Sequence, residues 1–121
     1  MTIYLTLVEL LTIVDEYGLQ QVRDVGLLDS AAHRPQTSVF GDDAYPTLDE
    51  KVAVLLESIV RNHPLIDGNK RLGWLAAYVF YGRNGVVLDA PHDEAYDLVI
   101  GVATGTLAYR EVAATLHSWT T

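Results

Sequence analysis

An all-α fold, a compact bundle of about six helices broken by one short flap, is predicted by three features of this 121-residue chain. Apolar residues recur at intervals of three and four, the period of a helix with one buried face. Two Thr-x-x-Glu spacings, Thr6 with Glu9 and Thr47 with Glu50, mark helix starts, because each side chain satisfies the other residue's free N–H group. Gly18, Gly85 and Gly105 fall where the periodic runs stop, as glycine commonly does just past a helix C-terminus.

The first helix opens at Thr6 and carries Leu7, Leu10, Leu11 and Val14 on one face before Gly18. A weaker one is expected from about Asp24 to His33. Arg34 to Pro46 mixes Pro35, Gly41, Asp42, Asp43 and Pro46 with Val39 and Phe40, which suits an extended loop or short hairpin, the flap. Thr47 opens a third helix with Leu48, Val52, Leu55, Leu56 and Ile59 on one side, ending near Asn62 before Pro64. The fourth runs from about Gly68 to Arg83 and stops at Asn84-Gly85. Its Leu72, Leu75, Ala76, Val79 and Phe80 form one stripe, and Trp74, Tyr78 and Tyr81 another on the opposite side, so it is expected to be the central helix. Ala90-Pro91 opens a fifth helix to about Thr104, and Tyr109 to Trp119 makes the last, with Val112, Leu116 and Trp119 facing inward.

No repeat or linker divides the chain, and residues 1–121 are read as a single domain large enough to bury about two-thirds of its unfolded surface. The absence of cysteine suits a reducing compartment. The N-terminus lacks the basic flank of a signal peptide, and no apolar run approaches the roughly 20 residues that span a bilayer, so a cytoplasmic protein is expected. The net charge of −8 repels nucleic acid and anionic membranes, which excludes either as a direct partner.

Against that negative field, His63-Pro64-Leu65-Ile66-Asp67-Gly68-Asn69-Lys70-Arg71 concentrates two cations at the start of a helix. The helix dipole disfavours cations at that end. An anion over the N–H groups of Gly68, Asn69 and Lys70 relieves the mismatch, which marks a phosphate site. His63 has the chemistry of a general base. Asp67 suits either an N-cap or a Mg²⁺ ligand, since Mg²⁺ takes one or two carboxylates together with phosphate oxygens. Gly68 starts the helix or lets a phosphate approach the backbone. Lys70 and Arg71, singly, are equally at home as solvated surface residues. His33, His92 and His117 lack a metal-ligand spacing and are expected at the surface or at helix ends.

The nine residues resemble the active-site motif of the Fic/Doc superfamily, and the Gly-Asn-Lys-Arg ending resembles its Doc, or death-on-curing, branch. The likeness continues through Arg23-Asp24-Val25-Gly26-Leu27-Leu28-Asp29-Ser30-Ala31, Arg34-Pro35-Gln36, Tyr45-Pro46 and Asn84-Gly85, about residues 15 to 115. The resemblance implies a toxin of a toxin–antitoxin pair, held inactive by the C-terminal helix of a Phd-like antitoxin in a groove near the active site. It implies a kinase that moves the γ-phosphate of ATP to a hydroxyl of elongation factor Tu, inhibiting translation. By position, His63 is then the base and Asp67 the Mg²⁺ ligand, with Gly68, Asn69, Lys70 and Arg71 cradling phosphate. Adenylylating Fic proteins have Gly at the position of Lys70 and a second Arg at that of Trp74, so both residues favour phosphate over AMP transfer. Leu65 stands where the family usually has Phe, and is expected still to pin the loop. The rival expectations are a Fic-type nucleotidyltransferase and a catalytically silent binding module. Arg34, Gln36 and Phe40 on the flap are candidates for guiding a protein substrate, or simply cover the core.

Overall fold

The computed structural model describes residues 1–19 and 21–121. Six helices, α1 (Leu7–Glu16), α2 (Val25–His33), α3 (Leu48–Asn62), α4 (Asn69–Arg83), α5 (His92–Ala103) and α6 (Tyr109–Ser118), occur among the described residues. Between α2 and α3 lie a 3₁₀ turn over Arg34–Gln36 and a two-stranded antiparallel hairpin, β1 (Ser38–Val39) and β2 (Asp42–Asp43), with Ser38 opposite Asp43 and Val39 opposite Asp42. The all-α expectation holds, and the flap is this hairpin.

Both Thr-x-x-Glu spacings form reciprocal capping boxes: Thr6 and Thr47 accept from the backbone N–H groups of Glu9 and Glu50, whose carboxylates accept in return. Asp24 caps α2 by accepting from Leu27 N–H. These bonds fix where the helices begin, and the buried Leu10, Ile13, Val14, Leu28, Ala31 and Ala32 dock α1 and α2 on the core.

The central helix is α3, not α4. It packs against α2, α4, α5, α6 and the 3₁₀ turn, whereas α4 meets α1, α3 and α5. Two polar side chains disguise its burial in the sequence. Lys51 is 1% exposed, its ammonium held by the Asp43 carboxylate at 3.1 Å and by the Tyr45 carbonyl. Ser58 is buried and accepts from the Arg34 guanidinium at 3.0 Å. A buried charge is tolerated when paired and hydrogen-bonded. α4 buries the arc Leu72, Gly73, Ala76, Ala77, Phe80 and Tyr81, leaving Leu75 and Val79 half-buried and Tyr78 53% exposed. The expected aromatic stripe is therefore divided: Tyr81 faces the core, Trp74 lies edge-on to Trp119, and Tyr78 faces solvent.

At the α3–α4 crossing, a Cβ on Gly73 would lie 2.7 Å from Val60 Cγ2 and 2.8 Å from Leu56 Cδ1. The missing side chain sets how closely the two helices approach, and hence where α4 begins relative to the end of α3.

Candidate active site

α3 ends where its periodic pattern meets Pro64, which disfavours the right-handed helical conformation for His63. His63 adopts φ 52°, ψ 61°, the left-handed region, as the C-cap of α3. Such a conformation costs a non-glycine residue about 1–2 kcal/mol and persists only where neighbours enforce it. The enforcement is visible. Arg23 donates from Nε to the His63 carbonyl at 2.9 Å and from a terminal nitrogen to the Asn62 carbonyl at 3.1 Å. The backbone N–H groups of Arg23 and Asp24 both reach the Pro64 carbonyl, and Val22 bridges to Leu65.

Leu65 is fully buried and anchors the loop to the core, as expected for an apolar side chain at that position. Asn69, only 7% exposed, staples the loop from inside: its Oδ1 accepts from Leu65 N–H at 2.9 Å and its Nδ2 donates to the Leu65 carbonyl at 3.1 Å. The same Nδ2 lies 3.4 Å from His63 Nδ1. The Asn69 side chain is thus committed to the loop and the histidine, and only its backbone N–H remains to meet an anion.

Asp67 is not the N-cap. That position belongs to Gly68, whose φ of 86° suits glycine. The exposed Asp67 accepts from Gly68 N–H at 2.8 Å through Oδ1, so that N–H, expected at the anion, is taken and those of Asn69 and Lys70 remain. No side chain caps the first turn of α4, and no acidic residue lies in it. Lys70 and Arg71 are exposed there and form one end of a cavity of about 410 Å³ between α4 and α5, which continues past Trp74 to His92, Ala95, Tyr96, Val99 and Ile100. The arrangement offers an uncapped helix N-terminus, two cations, a carboxylate with a free oxygen and an imidazole, beside a largely apolar groove. That chemistry suits a nucleotide: phosphates at the dipole end, an aromatic base in the groove.

Asp67 also meets the donor requirement for a phosphate-bound Mg²⁺, which needs few protein ligands because phosphates and water complete its octahedron. No cluster of three or more His, Cys, Asp or Glu capable of holding a metal unaided occurs among the described residues.

The flap candidates separate. Arg34 turns inward, to Glu57 at 2.9 Å, Ser58 and the Tyr45 hydroxyl. Burial alone would lower its pKa, but the Tyr45 and Glu57 contacts outweigh it and raise the pKa further. Phe40 instead sits at the hairpin tip, 102% exposed with φ 53°, and Gln36 is exposed. Of the other histidines, His33 bonds the Asp29 carbonyl near the end of α2 and His117 meets Asp49 at 3.0 Å. Sequence reasoning missed Arg23 as a support of His63, because the two lie 40 residues apart and no local pattern joins them.

An αL histidine closing one helix, a buried asparagine locking its loop and an uncapped basic N-terminus on the next are built by the nine residues that resemble the Fic/Doc motif. Residues 4–81 match the Fic/DOC family model, and the chain belongs to the Fic/Doc family. Within it, the chain is 52% identical over 101 residues to Toxin Doc of Mycolicibacterium smegmatis, covering 82% of this chain and 78% of that protein. It is 37% identical over 101 residues to Protein kinase doc of Escherichia phage P1, covering 83% and 78%. No helix among the described residues is long and apolar enough to cross a membrane.

Proposed function

We propose that this chain is a Doc-type toxin and an ATP-dependent protein kinase, transferring the γ-phosphate of ATP to a hydroxyl of a translation protein in the cytoplasm. The observation that carries the reading is the uncapped α4 N-terminus with Lys70 and Arg71 in its first turn, opening onto the groove between α4 and α5. Similarity to proteins named Toxin Doc and Protein kinase doc supports it, and the family resemblance supplies elongation factor Tu as the substrate to test.

In this reaction His63 accepts the proton of the attacking hydroxyl. The new P–O bond forms to that oxygen as the bond from the γ-phosphorus to the bridging β-oxygen breaks, and ADP leaves. The backbone N–H groups at the start of α4, with Lys70 and Arg71, balance charge on the phosphoryl oxygens. Phosphoryl transfer draws most of its acceleration from such positioning and neutralisation. Asp67 would hold Mg²⁺, which would neutralise phosphate charge. Gly68 allows the left-handed turn that opens α4, and Asn69 holds the His63 loop. Trp74 and Tyr96 line the groove that receives the base, and Phe40 on the hairpin tip meets the protein substrate.

The purified protein, Mg²⁺, elongation factor Tu and ATP labelled at the α or the γ position test the reading. Label passes from γ only, and His63→Ala abolishes transfer. Passage from α alone would instead establish a nucleotidyltransferase. Undiminished growth arrest by His63→Ala would establish a silent binding module. A Phd-like antitoxin, its inhibitory segment short and ordered only on binding, is the expected partner and should co-purify from cells expressing both.

A further inference from the structure

We propose that Arg23 is a positioning residue for His63, which it controls through three consecutive carbonyls. Its terminal nitrogen donates to Asn62 O at 3.1 Å, its Nε to His63 O at 2.9 Å and its backbone N–H to Pro64 O at 2.8 Å. These carbonyls span the point where α3 ends and the chain reverses into the left-handed His63. A helix C-terminus is also the dipole end that favours a cation. The fork geometry matters: a guanidinium meets two adjacent carbonyls at fixed spacing, whereas an ammonium supplies a point charge without that constraint.

The neighbouring bonds make the segment before α2 a template for the loop. Ile66 N–H donates to Gln21 O at 3.0 Å, Asp24 N–H to Pro64 O at 3.1 Å, and Val22 bridges Leu65. Asn69 grips the loop at Leu65 and approaches the imidazole, but makes no contact with the carbonyls of 62–64 among the described residues. The backbone direction at His63 therefore depends on Arg23. Without its side chain the αL turn loses two of its restraints, and the imidazole leaves the position that faces the α4 N-terminus.

The inference rests on the proposed role of His63 for its catalytic consequence, and on geometry alone for its structural one. Arg23→Ala and Arg23→Lys are compared with the parent by two readouts. In the first, kcat for transfer falls about ten- to a hundredfold in Arg23→Ala, as misplacement of a catalytic group by an ångström can cause, while KM for ATP stays within about twofold. Arg23→Lys keeps part of the rate. In the second, ¹H–¹⁵N spectra of the histidine rings show His63 signals displaced in both variants, with those of His33, His92 and His117 unmoved. This readout stands even if the parent chain transfers no phosphate. Unmoved His63 signals in a folded Arg23→Ala, or equal displacement of all four histidines, overturns the inference. Should Arg23→Ala not fold, Arg23→Lys decides by the same signals.

Discussion

Asn69 Nδ2 faces His63 Nδ1 at 3.4 Å, and the orientation of the Asn69 amide is set by its two bonds to the Leu65 backbone. The amide therefore holds the Nδ1 side of the ring, and Nε2, on the other side of the imidazole, is the nitrogen left to take a proton. Asn69→Asp removes the donor to both the Leu65 carbonyl and the ring. Nitrogen chemical shifts of the His63 ring should differ between the parent and Asn69→Asp; identical shifts in the two would contradict the relationship. Asn69→Ala leaves the buried N–H and carbonyl of Leu65 without partners and should cost about 1–3 kcal/mol on chemical denaturation.

Under the proposed function, the left-handed His63 sets function against stability. His63→Gly and His63→Ala should both lose transfer, yet the glycine variant should be the more stable by about 1 kcal/mol, since only it adopts φ 52° freely. Equal melting temperatures would show that the turn is unstrained.

Tyr81 links stability to alkaline pH. Its hydroxyl is buried and donates to Asp49 at 2.5 Å, and burial first, then this bond and the Asp49 charge, push its pKa far above the ordinary tyrosine value. A folded-state pKa raised above the unfolded one gives stability that is full below the unfolded pKa of about 10 and lost as pH rises beyond it. Tyr81→Phe should be less stable at pH 7 by about 1 kcal/mol but lose less on going to pH 11. Parallel stability-against-pH curves would remove Tyr81 from the account.

Gly73 holds α3 and α4 together by having no side chain. Gly73→Val forces Leu56 and Val60 from their places and should destabilise by about 1–3 kcal/mol, seen as a lower Tm. An unchanged Tm would mean that the crossing is free to open.

Phe40 touches little of its own chain, so Phe40→Ser should leave Tm unchanged while lowering kcat/KM for the protein substrate and sparing KM for ATP. A loss confined to ATP would place the flap over the nucleotide instead.

The helices were legible where backbone needs are met locally. Thr6 with Glu9, and Thr47 with Glu50, satisfy N–H groups within one turn, so spacing alone locates them. The motif was legible for the same reason: its loop, glycine and first turn are contiguous. What stayed hidden depends on partners distant in sequence. The central place of α3 is masked by Lys51 and Ser58, polar residues whose burial requires Asp43, Tyr45 and Arg34. Tyr81 reads as one of three aromatics until Asp49, 32 positions away, gives its hydroxyl a partner and makes the inward position tenable. Asp67 could not be told from an N-cap until Gly68 was seen to take that place.

Both legs of the hairpin are tied to the bundle, the first through Arg34 to Glu57 and Ser58, the second through Asp43 to the interior Lys51. The prong between them has a set reach, so under the proposed function Phe40 would act as a ruler for how far a docked substrate stands from the bundle. Adding one residue to each strand would move that tip outward by about 3 Å, enough to shift which hydroxyl of a docked protein comes within range.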